Sequence, residues 1–330
     1  MKIAVFSSKP YDRAHLSAVN QDQHQMTFFE PHLDEQTAIL AQGFDVVCCF
    51  VNDTLSAPVI RTLADHRVQM IALRCAGFNN VDLVQADASG ILVARVPEYS
   101  PYAVAEHAVA LALSLNRNLH RAHNRVREND YSLHGLLGFD MHGKTVGVIG
   151  TGKIGLAFCN ILLGFGCRVN CYDPYPNPEL EKTAATYVPL EQIWTDSDII
   201  SLHCPLLATT RHIINSNSIH QMKPGLMLIN TSRGALIDTR AVIDALKMGH
   251  IGYLGLDVYE EEAELFFEDN SDEILHDDML ARLQTFKNVL ITGHQAFFTQ
   301  EALTAIAEIT LRNINGLANN DPAAICQVKQ

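Results

Sequence analysis

Short apolar runs alternate with segments of helical periodicity along almost the whole chain, the pattern of βα units that build parallel sheets covered on both faces. In the first hundred residues the runs predict five strands, near Ile3–Phe6, Met26–Phe29, Val46–Val51, Met70–Leu73 and Leu92–Val96. A long connecting helix is expected next, with Ser100 as N-cap, Pro101 at its first position and Ala- and Leu-rich sequence to about Leu119. A second series predicts six strands, near Val146–Ile149, Arg168–Tyr172, Ile199–His203, Leu226–Asn230, Tyr253–Asp257 and Val289–Thr292. A last helix is expected from about Thr299 to Leu317. Periodicity does not say which series it packs on.

A chain of 330 residues is long enough for two domains, at roughly 100–200 residues each. The expected fold class is therefore α/β, with two doubly wound, Rossmann-like parallel sheets. The balance of 24 Lys+Arg against 37 Asp+Glu, with no basic patch, excludes a nucleic-acid partner, which needs clustered cations. The apolar stretch Ala103–Leu115 is broken by Glu106 and His107 and falls short of the ~20 residues of a membrane span. Four apolar residues after Lys2 are too few for a signal-peptide core, so a soluble, cytoplasmic protein is expected. Eight cysteines without a C-x-x-C pair argue against a zinc ribbon or redox motif and suit reduced thiols. Cys167 and Cys171, on one strand, would sit ~13 Å apart, beyond disulfide reach.

Gly150-Thr151-Gly152-Lys153-Ile154-Gly155 is a G-x-G-x-x-G run, weak evidence alone. Here it follows the buried-strand pattern Val146-Gly147-Val148-Ile149 and precedes a helical segment from Ile154 to Leu163, the context of a dinucleotide-binding turn. The first glycine permits the turn, the second the approach of a pyrophosphate, and the third close helix–strand packing. The helix N-terminus then offers its unpaired N–H groups to phosphate. Asp173, 18 residues after Gly155, has the spacing of an acid that accepts from a ribose hydroxyl. Its charge repels the extra phosphate of NADP, and Pro174-Tyr175-Pro176-Asn177 carries no Arg to receive one, so NAD is the expected cofactor.

Ligands of open α/β sheets bind beyond the carboxyl ends of the strands. After the predicted fourth, fifth and sixth strands of the second series come Arg233, then Asp257 leading to Glu262, then His294. These types suit hydride transfer between a 2-oxo and a 2-hydroxy acid. Arg233 can grip a carboxylate bidentately, His294 can protonate the carbonyl oxygen, and Glu262 can orient the imidazole and favour its charged form. Each alone has a structural alternative, as a surface ion pair, a core histidine or part of a solvated acidic face. Their joint placement favours chemistry.

The chain resembles the D-isomer-specific 2-hydroxyacid dehydrogenases, most closely the NAD-dependent fermentative D-lactate branch. The resemblance runs through Leu73–Asp82, Val104-Ala105-Glu106-His107-Ala108, the glycine run, His203-Cys204-Pro205-Leu206, Asn230–Leu236, Asp257-Val258-Tyr259 and Gly293–Phe297. It implies Arg233, Glu262 and His294 as the catalytic set. It further implies that backbone N–H groups near Ala76 and Gly77 help Arg233 and His294 hold the substrate, and that Tyr99 and Phe297 shape a small side-chain pocket. Cofactor contacts carry over to Gly150, Gly152, Lys153, Ile154, Gly155, Asp173, Cys204, Pro205, Thr210, Thr231, Ser232 and Asp257.

The family pattern also implies a flavodoxin-like substrate-binding domain of residues 1–100 plus 297–330 and a NAD-binding domain of residues 101–296. The active site would lie in the cleft between them. The implied substrate pair is pyruvate and D-lactate, and the implied assembly a homodimer or homotetramer, with the helix after Ser100 and its following arm in contact. No metal is called for. From Val258 to Ala281 there are ten acids and no Lys or Arg. That run reads as a solvated loop and helix cap, although oxygen ligands alone also suit a divalent cation. With Glu260, Glu261 and Glu262 adjacent, a slip within the run would select a different acid. A bulkier 2-oxo acid, hydroxypyruvate, or a dinucleotide-sensing regulator without turnover are the rival readings.

Overall fold

The computed structural model describes residues 1–262, 265–267 and 269–328. The chain divides into two compact units, one of residues 1–100 and 298–330, the other of residues 101–297.

The first unit holds β1 (Lys2–Val5), α1 (Pro10–Asn20), β2 (Gln25–Phe28), β3 (Val46–Cys49), α2 (Ala57–Asp65), β4 (Met70–Leu73), α3 (Leu83–Ala88) and β5 (Leu92–Ala94). Its five strands are all parallel in the order β2-β1-β3-β4-β5, the flavodoxin-like arrangement. Unbroken apolar runs such as Val46–Cys49 and Met70–Leu73 are buried at every position because helices cover both faces. On one face Leu16 of α1 packs with Ile3, Val5 and Met70, and on the other Val59, Ile60 and Leu63 of α2 pack with Ala4, Val47 and Ile71.

The second unit holds α4 (Pro101–Asn116), α5 (Leu119–Arg127), β6 (Thr145–Ile149), α6 (Lys153–Gly164), β7 (Arg168–Tyr172), β8 (Thr186–Tyr187), α7 (Leu190–Asp196), β9 (Ile199–Leu202), α8 (Ser216–Gln221), β10 (Leu226–Asn230), α9 (Thr239–Met248), β11 (Ile251–Leu256), α10 (Asp278–Gln284) and β12 (Val289–Ile291). Its sheet is parallel in the order β12-β11-β10-β9-β6-β7-β8. From β8 this is the 3-2-1-4-5-6 order of a dinucleotide fold with one added strand, and the order reverses between β6 and β9.

Two elements differ from the sequence expectation. The second sheet has a seventh strand, β8, whose two residues are too short for an apolar run to register. The helix after Ser100 ends at Asn116, because Asn118 takes a left-handed φ of 49° before α5 begins. That helix is also more than a connector: Ala105, Ala108, Leu111 and Leu115 pack with Val148, Phe158 and Ile229 in the core of the second unit.

The last helix, α11 (Gln300–Ala318), belongs to the first unit, where Ala307, Leu311 and Ile314 cover Ile3, Val5 and Val46. None of the eight cysteines is joined in a disulfide, although the Cys159 and Cys171 sulfurs approach to 3.6 Å. No described helix is long and apolar enough to cross a membrane.

Candidate active site

The glycine turn sits at the reversal point of the second sheet. Gly150 has φ 96°, and a Cβ there would meet the Cys204 backbone nitrogen at 2.4 Å. Gly155 packs so closely that a Cβ would lie 2.1 Å from the Gly150 carbonyl oxygen. Gly152 differs: it caps α6, has ordinary φ and ψ, and a Cβ on it would meet nothing within 4 Å. The first and third glycines therefore serve the fold, and the second keeps open the space in front of a helix N-terminus where a phosphate is favoured.

This turn is braced from β7 and β8. Thr151 donates its N–H to Asp173 at 2.7 Å, Tyr187 donates its hydroxyl to the Thr151 Oγ1 at 2.8 Å, and Asn177 donates to the Thr151 carbonyl at 2.9 Å. Asp173 is half-buried at the end of β7. Spacing does not single out Tyr187 and Asn177, because their roles depend on the short strand β8. Beneath the turn, half-buried His203 lies 4.8 Å from the Phe158 ring, and desolvation lowers its pKa to about 3, so it is neutral.

The remaining expected cofactor residues lie at the start of α6 and in the segments after β9 and β10. Lys153 is exposed at the first position of α6, while Ile154 packs its side chain toward the core. Cys204 is buried, which pushes its thiol up to about 11, and its carbonyl accepts from the Ser232 hydroxyl at 2.7 Å. The Thr210 hydroxyl accepts from Leu207 N–H at 2.8 Å and donates to the Pro205 carbonyl at 2.6 Å, closing that loop. The Thr231 Oγ1 is buried with no hydrogen-bond partner in the protein. A lone buried hydroxyl of this kind is costly and marks a place for a missing partner. With the opening at Gly152, it makes the residues present fit a bound dinucleotide.

The opening at Gly152 gives a two-part expectation. Gly152→Ala should leave the thermal midpoint unchanged and weaken NADH binding about tenfold or more, since its methyl group meets ligand space alone. Gly150→Ala should lower both, because a left-handed alanine costs about 1–2 kcal/mol before the clash with Cys204. Calorimetry and NADH fluorescence titration check the pair. Equal NADH affinity in Gly152→Ala and the parent would move the phosphate site elsewhere.

Arg233, Glu262 and His294 follow the carboxyl ends of β10, β11 and β12, which are adjacent and in register through Asn230, Leu256 and Ile291. After β10 the buried Asn230 side chain accepts from Ser232 N–H and donates to the Arg233 carbonyl, shaping the turn that presents Arg233. Arg233 is half-buried, and its Nη1 donates to the Ser232 carbonyl at 2.7 Å. Gly234 is needed next, because a Cβ there would strike the Tyr259 backbone at 2.1 Å. The arginine turn thus lies flush on the segment that leads to Glu262.

His294 Nδ1 lies 3.0 Å from Glu262 Oε1, and Glu262 Oε2 accepts from Tyr259 N–H at 2.8 Å. Among the three adjacent glutamates the geometry selects Glu262. Glu260 faces the other way, 2.6 Å from His212 Nε2 and accepting from Thr239 at 3.0 Å, and Glu261 is exposed. The His294 and Glu262 side chains are each about one-fifth exposed, 21% and 22%. Phe267 lies 5.4 Å from the His294 ring and 6.5 Å from buried Phe297.

Asp257, expected as a cofactor contact, directly follows β11 beside this pair. Its side chain is 0% exposed, and it accepts from Thr292 Oγ1, Gln295 N–H and Ala296 N–H at 2.6, 2.9 and 2.8 Å. Through these bonds it holds the turn around His294.

In the first unit, Ala76 and Gly77 form the turn after β4, with the Ala76 carbonyl accepting from Arg95 Nη1 at 2.9 Å and the Gly77 carbonyl from the Cys75 thiol at 3.3 Å. Tyr99 is half-buried in the segment after β5. Of the acidic run, Asp277 caps α10 and accepts from the Tyr259 hydroxyl at 2.7 Å. Ala263, Glu264 and Glu268 lie outside the described residues. Among the described residues no cluster of three or more His, Cys, Asp or Glu side chains is assembled to hold a metal.

A glycine turn at a sheet reversal and a paired imidazole and carboxylate on the same strand edge define a dinucleotide-binding enzyme fold. The family model described as D-isomer specific 2-hydroxyacid dehydrogenase, NAD binding domain, matches residues 109–296. A D-lactate dehydrogenase of Escherichia coli is 52% identical over 97% of this chain and 98% of its own. A 2-hydroxyacid dehydrogenase homolog of Haemophilus influenzae is 53% identical over 95% of each chain. A solved structure described as the pyruvate reductase of Chlamydomonas reinhardtii matches with a TM-score of 0.94 at 47% identity, covering 98% of this chain and 97% of that one. The chain belongs to the D-isomer-specific 2-hydroxyacid dehydrogenase family.

Proposed function

We propose that this chain reduces pyruvate to D-lactate with NADH. The observation that supports the reading most directly is the 3.0 Å pairing of His294 Nδ1 with Glu262 on the strand edge shared with Arg233. Bound NADH supplies the hydride that reaches the carbonyl carbon. Glu262 holds the Nδ1 proton, which leaves Nε2 to deliver a proton to the carbonyl oxygen. Arg233 holds the substrate carboxylate through a bidentate fork and polarises the adjacent carbonyl. Buried Phe297, 6.5 Å from Phe267 beside the imidazole, favours a methyl side chain over a bulkier one.

Asp173 supports NAD over NADP, since a carboxylate at the ribose repels a 2′-phosphate and no Arg follows it in residues 174–177. We place the enzyme in the cytoplasm as a homodimer or homotetramer. Its arm after α5 exposes Tyr131, Leu133 and Leu137, apolar area suited to a second copy.

A panel of 2-oxo acids with NADH and NADPH tests the reading, followed by chiral analysis of the product and sedimentation of the same preparation. Pyruvate with NADH should lead, and the product should be D-lactate. Preference for phenylpyruvate, 2-oxoisocaproate or hydroxypyruvate would reassign the substrate. Turnover with NADPH as fast as with NADH would remove the role given to Asp173. No turnover of any 2-oxo acid would favour a dinucleotide-binding regulator, and a monomer in sedimentation would sink the proposed assembly.

A further inference from the structure

We propose that His107 and Thr292 are positioning residues that hold the imidazole of His294 through the buried carboxylate of Asp257. The proposal rests on the reading of His294 as the proton donor. His107 lies on α4, in the segment Val104–Ala108 that the reaction itself leaves unused. Its Nε2 is 3.0 Å from Thr292 Oγ1 and 3.3 Å from Asp257 Oδ1, with the ring 17% exposed.

Donor accounting sets the direction of these contacts. Thr292 has one hydroxyl proton, and at 2.6 Å it is given to Asp257 Oδ1, because an ionised carboxylate accepts and does not donate. The contact between Thr292 Oγ1 and His107 Nε2 then requires that His107 be the donor. The tautomer with the proton on Nε2 satisfies both oxygens at once.

The carboxylate organises the catalytic turn. Three of its donors, Thr292 Oγ1, Gln295 N–H and Ala296 N–H, belong to the residues that bracket His294. The His294 N–H donates to the Asp257 carbonyl at 2.7 Å, so side chain and backbone of one residue grip both ends of the turn. His294 itself sits at φ 53°, a left-handed conformation that a non-glycine residue holds when its surroundings enforce it. His107 is the side chain that reaches this clamp from a different element, α4, and fixes it to the body of the unit. Without that donor the buried carboxylate loses a partner and the turn can relax, carrying the imidazole away from its working position.

The test compares His107→Leu, His107→Gln and Thr292→Val in the full-length protein, with the parent's turnover of pyruvate as the control for the functional reading. Misplacement of a catalytic group by about 1 Å can cost about 100-fold, so His107→Leu and Thr292→Val should lose about 10- to 100-fold in kcat. NADH affinity, read by fluorescence, should stay at the parent value, and the His294 ring resonances should shift in the NMR spectrum of the ligand-free protein. His107→Gln, which keeps an N–H donor, should recover most of the lost kcat. Parental kcat in Thr292→Val, or a His107→Gln variant no faster than His107→Leu, would overturn the proposal. If His107→Leu does not fold, Thr292→Val decides alone, since it removes one hydroxyl at nearly constant volume. A parent without 2-oxo-acid turnover would instead remove the functional reading, which separates the two failures.

Discussion

His294→Ala is expected to lower turnover of pyruvate by about 100- to 10,000-fold while NADH binds as tightly as before. That loss corresponds to about 3–5 kcal/mol of barrier, the contribution of a positioned general acid. The expectation is specific because the imidazole is held on one side: Nδ1 meets Glu262 at 3.0 Å, and Glu262 is fixed in turn by Tyr259 N–H at 2.8 Å. A proton delivered by the ring must come from Nε2. Nothing in the glycine turn depends on His294, whose contacts run to Glu262, Asp257 and Phe267, so cofactor affinity supplies the internal control. Stopped-flow measurement of NADH oxidation, with fluorescence titration of NADH, separates the two quantities. A variant within threefold of the parent in kcat would move the acid to another residue. A variant that loses NADH binding in proportion would make the residue structural.

The parts of this site legible in the sequence are those set by local pattern. The apolar runs before the glycine turn and before Asn230, Asp257 and Thr292 end where the chain must turn at the sheet edge, so residues just beyond them fall on one side. That reasoning brings Arg233, Glu262 and His294 to neighbouring strand ends without coordinates. Composition and spacing do not carry what long-range packing decides. The choice of Glu262 over Glu260 depends on His212 and Thr239, which come from other loops and draw Glu260 away. Asp257 is legible as a strand-end acid, but the groups that fix its carboxylate, residues 292–296 and His107, lie far along the chain on either side, where spacing does not reach. The strand β8 escapes pattern reading because two residues carry no periodicity, and with it goes the brace that Tyr187 applies to Thr151.

Arg233→Lys should raise the KM for pyruvate about 10- to 100-fold, with a smaller effect on kcat. Hydrogen bonds to charged groups contribute about 1.5–3 kcal/mol, and 1.4 kcal/mol is tenfold in an equilibrium constant. A lysine keeps the charge and loses the planar fork, so the two parallel N–H bonds to a carboxylate become one contact with a point charge. Two features of the turn sharpen the expectation. The Arg233 Nη1 is tethered to the Ser232 carbonyl at 2.7 Å, an anchor that orients the guanidinium plane before substrate arrives and that a lysine reproduces without directional control. The backbone behind it is closed by Asn230 and by the close approach of Gly234 to Tyr259, so the turn has no slack with which to follow a shorter donor array. Binding of oxamate-type carboxylate inhibitors to the NADH complex should weaken by the same factor as the rise in KM, because both read the ground-state grip on the carboxylate. If kcat falls 100-fold while KM and inhibitor affinity hold, the arginine acts on the carbonyl in the transition state and its carboxylate role is wrong.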